Sequence, residues 1–210
     1  MIVYSANYGG FDNLIQQPRF DGVKYIMFTE TPKEANGWDV VIDKRLPNSH
    51  PRTRAKWFKL HNHLLFKDQF SIWIDANNEL LRNPTELLQY ATEPFNVAKH
   101  PWRDCIYEEA TFCKDMEKYK DLPILEQVEE YRRQGFPSHY GLWACNCLIR
   151  NEEAKEVNER WWEHNLYWTY QDQLSLPYLF WKLRVRYNTI PEPLFSDSKY
   201  IKLHNHNSAK

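Results

Sequence analysis

The chain has 210 residues, of which 42% are hydrophobic and 26% are charged, and its formal net charge at pH 7 is −1. This composition is typical of a globular protein and excludes a disordered chain. Because acidic and basic residues balance, nothing favours a nucleic-acid-binding surface, and we expect no nucleic-acid partner. The length suits one domain over residues 1–210, standing alone or within a longer protein.

The cysteines and the hydropathy of the chain indicate the cellular compartment in which the protein is expected. No two of the four cysteines form a CxxC pair, so we interpret them as small buried apolar groups in a reducing compartment. The chain opens on a predicted strand rather than a signal peptide, and no apolar stretch approaches the roughly 20 residues that cross a bilayer. We therefore expect a cytoplasmic protein without a membrane segment.

The first half of the chain alternates apolar runs with one helical pattern. Apolar runs at residues 2–5, 23–28 and 39–42 predict three strands. The segment PRTRAKWFKLHNHLLF, residues 51–66, has apolar residues at helical spacing and a proline at its start, which predicts a helix. The run FSIWID, residues 70–75, then predicts a strand buried on both faces.

The second half continues the alternation. NPTELLQYA (83–91) predicts a short capped helix, FNVAKH (95–100) a strand, and the polar stretch 104–134 two helices broken near Pro123. GLWACNCLIR (141–150) predicts a strand and NEEAKEVNERWWEHNLYW (151–168) an amphipathic helix. A helix around QDQLSLPYLFWKL (171–183), the strand VRYNTI (185–190) and a His-rich tail complete the chain.

This alternation predicts an α/β fold with a mostly parallel central sheet flanked by helices. In such sheets ligands bind at the carboxyl ends of the strands, so the residues that follow each strand are the first candidates for chemistry. The sequence has no GxGxxG or GxxxxGK[ST] loop and no GxSxG elbow, which disfavours dinucleotide-binding, P-loop and serine-hydrolase sites.

Asp75 and Asn77 directly follow the buried strand of residues 70–75. Two oxygen-bearing side chains two residues apart in an extended segment point the same way, so both can reach one Mg²⁺ or Mn²⁺ ion. The alternative is an ordinary turn at the end of a strand.

Two later segments could complete such a site. Gln171, Asp172 and Gln173 start a predicted helix, whose free amide donors suit an anionic ligand; the alternative is that Asp172 is a simple N-cap. In the tail, His204 or His206 could supply a nitrogen ligand to the ion while Lys202 reaches a phosphate.

The order of these motifs resembles that of glycosyltransferases with the glycosyltransferase-A fold, in particular the glycogenin-like and galactosyltransferase-like retaining enzymes. A nearer resemblance is to a domain family that includes plant glycosyltransferases acting on Golgi polysaccharides. The segments also resemble the amino-terminal domain of a chlorovirus glycosyltransferase that modifies capsid protein, which implies the cytoplasm of a host cell. The resembling segments are YSANYGGFD, YIMFTE, GWDV, SIWIDANNEL, KHPWRDCIYEEA, GLWACNCLIR and WWEHNLYWTYQDQLSLPYLFWK.

The resemblance implies roles for individual residues. Asp75 and Asn77 would bind the metal with His204, for which His206 is the alternative, and Asn77 departs from the Asp-x-Asp pattern of the family by supplying a neutral ligand. A uridine nucleotide would be bound by Asn7, Tyr8, Thr29, Glu30, Arg54, Lys59 and Lys202. Arg54 and Lys59 would share one face of their helix; the alternative is that both are solvated helix charges.

The donor sugar or the acceptor would contact His100, Arg103, Glu108, Glu109 and Asn146. For the segment KHPWRDCIYEEA the alternative is a salt-bridged start of a structural helix. In a retaining enzyme Asp172 or Gln173 would lie beneath the anomeric carbon, whereas an inverting enzyme would use Glu108 or Glu109 as a base.

The resemblance therefore implies a Mn²⁺- or Mg²⁺-dependent hexosyl- or deoxyhexosyltransferase that uses a UDP-sugar donor and a glycan or glycoprotein acceptor, with retention of configuration. Two alternatives remain open. One is a nucleotide-sugar- or glycan-binding module without turnover, and the other is a metal-dependent nucleotide-sugar hydrolase.

Overall fold

A seven-stranded sheet forms the centre of the protein in the computed structural model, which describes residues 1–10, 13–32 and 34–205. In chain order the strands are β1 (Ile2–Asn7), β2 (Lys24–Thr29), β3 (Asp39–Ile42), β4 (Ser71–Ile74), β5 (Asn78–Leu80), β6 (Phe95–Lys99), β7 (Trp143–Arg150), β8 (Tyr187–Ile190) and β9 (Ile201–Leu203). The sheet has the order β3-β2-β1-β4-β7-β6-β8, while β5 and β9 form a separate antiparallel pair.

The sheet is mostly parallel, as the alternation of strands and helices predicts. β1, β2, β3 and β4 run in one direction, and β6 and β8 run the same way because β7 is antiparallel to both β4 and β6. The carboxyl ends of six strands therefore meet at one edge of the sheet. This edge carries the polar residues that follow β1, β2, β4, β6 and β8.

The helices surround this sheet. The α-helices are α1 (Pro51–Leu60), α2 (Asn62–Leu65), α3 (Ile106–Cys113), α4 (Ile124–Arg133), α5 (Lys155–Tyr167) and α6 (Asp172–Leu183), and 3₁₀ turns occupy Pro84–Tyr90, Glu117–Tyr119 and Glu152–Ala154. Sequence predicts one helix over 51–66, whereas the structure breaks it at His61, whose φ of −122° is not helical. Within the described ranges, no helix has the length and apolar character of a membrane span.

Alternate residues of the strands enter two apolar clusters, one on each face of the sheet. Tyr4, Phe28 and Trp73 belong to the cluster that α1 and α3 to α6 cover. Val3, Met27 and other residues on the opposite face pack beneath the β5–β9 pair and the 3₁₀ turn at Pro84–Tyr90. Because both faces are covered, central strands such as β7 are buried along their whole length.

The β5–β9 pair fixes the chain immediately after β4. Gln17, which is buried, holds β5 from the other side, because its Nε2 donates to the Asn78 carbonyl at 2.7 Å and its Oε1 accepts from the Leu80 amide at 3.0 Å. The Gln17 side chain thus makes the two backbone hydrogen bonds that a neighbouring strand would otherwise make to Asn78 and Leu80. Asn77, at the start of this segment, is held in place as a result.

Candidate active site

A pocket of about 140 Å³ opens where β1 and β4 end and α1 begins. It is lined by Ala6, Asn7, Tyr8, Pro51, Arg52, Ala55, Lys56, Lys59, Trp73, Asp75, Ala76, Asn77, Tyr119 and Tyr170. Residues from the ends of two parallel strands therefore meet a helix face and two aromatic residues from later loops. This is the position at which parallel α/β sheets bind their ligands.

One face of α1 supplies the positive charge of the pocket. Arg52, Lys56 and Lys59 are separated by four and three residues, which places them one above another along the helix, and all three line the pocket. The helix starts at the correct place because the Nδ1 atom of His50 accepts from the Arg52 amide at 3.3 Å and Pro51 occupies the first turn. Three cations on one face suit a diphosphate group.

Asp172 connects the start of α6 to this cationic face. Its Oδ2 accepts from Lys59 Nζ at 2.6 Å and also from Lys56, while Lys59 Nζ lies 3.1 Å from Oδ1 of Asp75. Asp172 and Lys59 are almost fully buried, with side-chain exposures of 3% and 1%. One lysine thus bridges two carboxylates that come from opposite halves of the chain.

The charges in this cluster set one another's protonation. Burial opposes the charge of Lys59, but the attraction of Asp172 and Asp75 is stronger and raises the pKa of Lys59 above its ordinary value. Burial likewise opposes the carboxylate of Asp172, yet Lys56 and Lys59 lower its pKa. The pKa of Lys56 is lowered because burial and the neighbouring Lys59 outweigh the attraction of Asp172. Asp172 and Lys59 are therefore charged at neutral pH.

Asp75 and Asn77 offer the oxygen atoms that a hard divalent cation prefers. The Asp75 side chain is 40% exposed, and the hydrogen bonds from Trp73 Nε1 (2.7 Å) and Lys59 Nζ both reach its Oδ1. Asn77 donates from Nδ2 to the His204 carbonyl at 2.9 Å. This hydrogen bond uses the NH₂ group of the Asn77 side chain and leaves its Oδ1 atom as the acceptor. Both residues line the pocket, so this donor set fits Mg²⁺ or Mn²⁺.

His204 lies beside these residues through its backbone, because its amide donates to the Asn77 carbonyl at 2.9 Å. Its ring is hydrogen-bonded through Nε2 to Oε2 of Glu79 at 2.7 Å. Among the described residues, no group of three or more His, Cys, Asp or Glu side chains is placed to bind a metal ion. The role of His204 as a metal ligand stays a prediction, and His206 lies outside the described residues.

Of the other residues predicted to bind the nucleotide, some line the pocket and some lie outside it. Asn7 and Tyr8 line the pocket, with the Tyr8 hydroxyl donating to the Asp43 carbonyl at 3.0 Å. Glu30 pairs with Arg54 and accepts from the Gly9 amide at 2.7 Å, so this pair braces the loop after β1. Thr29 is fully buried at the end of β2, and Lys202 lies exposed on β9.

The prediction that Arg54 and Lys59 share a helix face is wrong. Five residues separate them, which places them on different sides of an α-helix, and Arg54 packs over the Tyr8 ring while Lys59 faces Asp172. The lysine that shares the face of Lys59 is Lys56. The spacing of Arg52, Lys56 and Lys59 was visible in the sequence.

A hydrogen-bonded chain links the acceptor-side candidates to the pocket. Arg103 Nε donates to Glu109 Oε2 at 2.6 Å, Gln171 Nε2 donates to Glu109 Oε1 at 3.0 Å, and the Tyr119 hydroxyl donates to Gln171 Oε1 at 2.6 Å. Both carboxylate oxygens of Glu109 are therefore engaged. The chain positions Tyr119, whose ring lines the pocket.

The remaining predicted residues lie outside the lining of the pocket. Glu108 is exposed on α3 and lies 4.0 Å from His139, away from the pocket, and Gln173 is half-buried on α6. Asn146 on β7 is buried, and its carbonyl accepts from the Asp75 amide at 2.9 Å. His100 lines a second groove beyond β6.

Arg52, Lys56, Tyr119 and Tyr170 are among the pocket residues that the sequence prediction did not include. Arg52 and Lys56 carried a signal, namely their helical spacing from Lys59. Tyr119 and Tyr170 carried none, because a 3₁₀ turn and the loop before α6 bring them to the pocket through tertiary packing.

Comparisons with known proteins identify a family. The family model of the TOD1/MUCI70 glycosyltransferase-like domain matches residues 22–208. The chain is 32% identical over 108 residues to the probable hexosyltransferase MUCI70 of Arabidopsis thaliana. The aligned region covers 49% of this chain and 19% of the plant protein, so the chain corresponds to a small part of that relative.

Solved structures support the fold. The bifunctional glycosyltransferase WbbM, in its apo form, superposes with a TM-score of 0.53 at 12% sequence identity, covering 90% of this chain and 38% of WbbM. At this identity the likeness concerns the fold alone. It confirms the predicted α/β glycosyltransferase-A architecture.

Proposed function

Because the chain belongs to the TOD1/MUCI70 glycosyltransferase-like family, we propose that it transfers a hexose or deoxyhexose from a UDP-sugar to a glycan or glycoprotein acceptor, with retention of configuration. The family and the plant hexosyltransferase support glycosyl transfer as the class of reaction. The uridine base, the divalent metal and the stereochemistry belong to the proposal.

One observation carries the donor assignment: the cationic face of α1 and the strand-end residues Asp75 and Asn77 line the same pocket. A nucleoside diphosphate placed there would contact Lys56 and Lys59 on one side. Asn7 and Tyr8, which line the pocket at the end of β1, would contact the nucleoside. A diphosphate has enough negative oxygen atoms to interact with several cations at once.

Asp75 and Asn77 would hold the divalent ion, which, when bound, neutralises the diphosphate leaving group as its bond to the sugar breaks. Lys59 acts at the same place, because its charge is fixed between Asp172 and Asp75. Fixed charges of this kind stabilise a developing negative charge without reorganising during the reaction.

In this proposal Asp172, which is bonded to the pocket residues Lys56 and Lys59, stabilises positive charge on the sugar. Its Oδ2 is held by two lysines, whereas its buried Oδ1 has no hydrogen-bond partner among the described residues. A buried carboxylate that is kept ionised can stabilise an oxocarbenium-like state. Glu109 is engaged at both oxygens and Glu108 lies away from the pocket, so neither suits the base of an inverting reaction.

The proposal is tested by calorimetric titration of UDP into the wild type and Asp75→Ala, each with and without Mn²⁺. We expect Mn²⁺-dependent binding that is lost in Asp75→Ala. Asp39→Ala, which removes an exposed carboxylate on β3 that pairs with Arg19, is the matched control and should bind UDP as the wild type does. Equal binding with and without metal, or no binding, would contradict the donor-site assignment.

Turnover separates the proposed transferase from its two alternatives. UDP release from UDP-glucose, UDP-galactose, UDP-xylose and UDP-rhamnose is measured with and without added oligosaccharides. Acceptor-stimulated release supports transfer, whereas release that acceptors do not change indicates a hydrolase. Binding without release under either condition indicates a module that has lost turnover.

A further inference from the structure

A second groove lies on the same edge of the sheet as the candidate active site, where β6 and β8 end. Its volume of about 800 Å³ is within the range of roughly 300–1,000 Å³ that is typical of ligand sites. Its lining comes from the two segments that follow these strands: Lys99, His100, Pro101, Trp102, Thr189, Ile190, Pro191, Glu192, Pro193, Leu194, Phe195, Ser196 and Asp197.

An exposed tryptophan forms the principal apolar surface of this groove. The Trp102 side chain is 63% exposed, although it packs edge-to-face against Phe195, with ring centroids 5.3 Å apart, and against His100, at 5.6 Å. The two contacts hold a large apolar ring in a fixed orientation at the surface. Leaving a residue of this size in water is unfavourable, and such residues are typical of recognition sites.

His100 supplies a hydrogen-bond donor beside this ring. Its Nδ1 accepts from the Arg103 amide at 3.1 Å, and burial lowers the pKa of the imidazole, so the neutral ring carries its proton on Nε2. No hydrogen bond joins Nε2 to another residue within the described part of the chain. A neutral donor next to an apolar face suits a hydroxyl group.

The charges around the groove balance. The lining includes one positive charge at Lys99 and one negative charge at Asp197, and Glu192 pairs with Lys199 at 2.7 Å. A groove without excess charge of either sign favours an uncharged ligand over a phosphate or an acidic polymer. The apolar face of a pyranose stacks on an indole ring, and its hydroxyls can pair with both the donors and the acceptors that line the groove.

Asn146 connects the wall of the groove to the segment that carries Asp75. Asn146 Nδ2 donates to the Leu194 carbonyl at 2.7 Å, and the Asn146 carbonyl accepts from the Asp75 amide at 2.9 Å. The segment after β8, which lines the groove, and the segment that carries Asp75 are therefore anchored to the same residue of β7. We propose that this groove is the acceptor subsite and binds a neutral pyranose of a glycan stacked on Trp102, with a hydroxyl bonded to His100. The acceptor role rests on the proposed glycosyl transfer, whereas the binding of a neutral sugar does not.

The test follows the indole N–H resonance of Trp102 in ¹H–¹⁵N spectra, assigned as the signal that Trp102→Phe removes. Maltose, cellobiose, xylobiose and lactose are the neutral probes, and digalacturonic acid is the charged one. We expect at least one neutral disaccharide to shift this resonance, and Trp102→Ala to weaken its binding about tenfold, as measured by saturation-transfer difference signals of the sugar. UDP affinity should stay unchanged.

Tyr167→Ala is the matched control, because Tyr167 is 75% exposed and belongs to a different surface. This variant should bind the sugar as the wild type does. The proposal is overturned if no neutral disaccharide shifts Trp102, if digalacturonic acid binds there more tightly, or if Trp102→Ala keeps full affinity.

The two proposals fail separately. Mn²⁺-dependent UDP binding without sugar binding at Trp102 would overturn the proposal for the groove and leave the donor-site proposal intact. Sugar binding at Trp102 in a protein that binds no UDP would support the groove as a glycan site and overturn its acceptor role.

Discussion

Lys59 Nζ and Asp172 Oδ2 lie 2.6 Å apart although 113 residues separate them in sequence. The contact joins α1 to the first residue of α6 beneath the candidate donor pocket. Arg150, fully buried on β7, donates from Nη2 to the Lys59 carbonyl and to the Tyr4 hydroxyl, and so anchors the end of α1 to the sheet. The ion pair therefore depends on a helix position that the core itself fixes.

The first prediction concerns the energy of this pair. Lys59→Met should lower the free energy of unfolding by about 3 kcal/mol, because it leaves the charge of Asp172 buried with one lysine fewer. In a double-mutant cycle with Asp172→Asn, the double variant should lose less than the sum of the single changes, with a coupling of about 1–3 kcal/mol. Urea denaturation measures each variant.

The exposed pair Lys155–Glu159 on α5, at 3.8 Å, is the control for this cycle. Its coupling should stay within about 0.5 kcal/mol, as for other solvent-exposed pairs. Additive effects of Lys59→Met and Asp172→Asn would mean that the two side chains do not interact in solution.

The second prediction concerns pH. The pKa of Asp172 is held below its ordinary value of 3.8, so the folded protein binds this proton less tightly than the unfolded chain does. The stability that Asp172 contributes is therefore present above pH 3.8 and is lost as the pH falls through the folded-state pKa. The difference in unfolding free energy between the wild type and Asp172→Asn should be constant near neutrality and shrink below pH 3.8.

Comparing the wild type with Asp172→Asn cancels the effect that protonation of His63 has on stability. Burial lowers the pKa of His63 to about 4, so this histidine destabilises the fold as the pH falls from 6.5 toward 4 in both proteins. Urea midpoints measured between pH 3 and pH 8 separate the two responses. A difference between the wild type and Asp172→Asn that stays constant down to pH 3 would contradict a paired Asp172 carboxylate.

The sequence predicted the fold well where its signals were local. Alternating apolar runs and helical spacings located the strands of the main sheet, and the carboxyl-end rule indicated Asp75 and Asn77, whereas Asn7 came from the family resemblance. β5 and β9 have only three residues each, too few for a periodic pattern. The pairing of β5 with β9 depends on the tertiary fold, which brings residues 201–203 beside the segment that follows β4.

The pocket was predicted less completely than the sheet. The sequence prediction grouped Lys59 with Arg54, although helical spacing places Lys59 on the same face as Lys56 and Arg52. Tyr119 and Tyr170 reach the pocket from irregular segments, for which a single sequence contains no periodic signal. The partner of each buried charge, such as Lys59 for Asp172, is set by tertiary packing over long separations.

The third prediction concerns the contact between Glu79 and His204. Nε2 of His204 lies 2.7 Å from Oε2 of Glu79, so a ring that binds a metal ion through Nδ1 would be oriented by this carboxylate. We expect Glu79→Ala to weaken Mn²⁺ binding in the presence of UDP by about tenfold, because the ring loses the carboxylate that orients it. Electron paramagnetic resonance of free Mn²⁺ measures this affinity.

His204→Ala should weaken Mn²⁺ binding at least as much as Glu79→Ala, and the double variant should be no weaker than His204→Ala, since Glu79 acts through the ring. Glu86→Ala removes a carboxylate from the 3₁₀ turn at Pro84–Tyr90 and serves as the control that changes net charge equally. Wild-type Mn²⁺ affinity in His204→Ala, together with loss of affinity in Asp75→Ala, would assign His204 a purely structural role. The hydrogen bonds that join His204 to Asn77 would then account for its place beside the pocket.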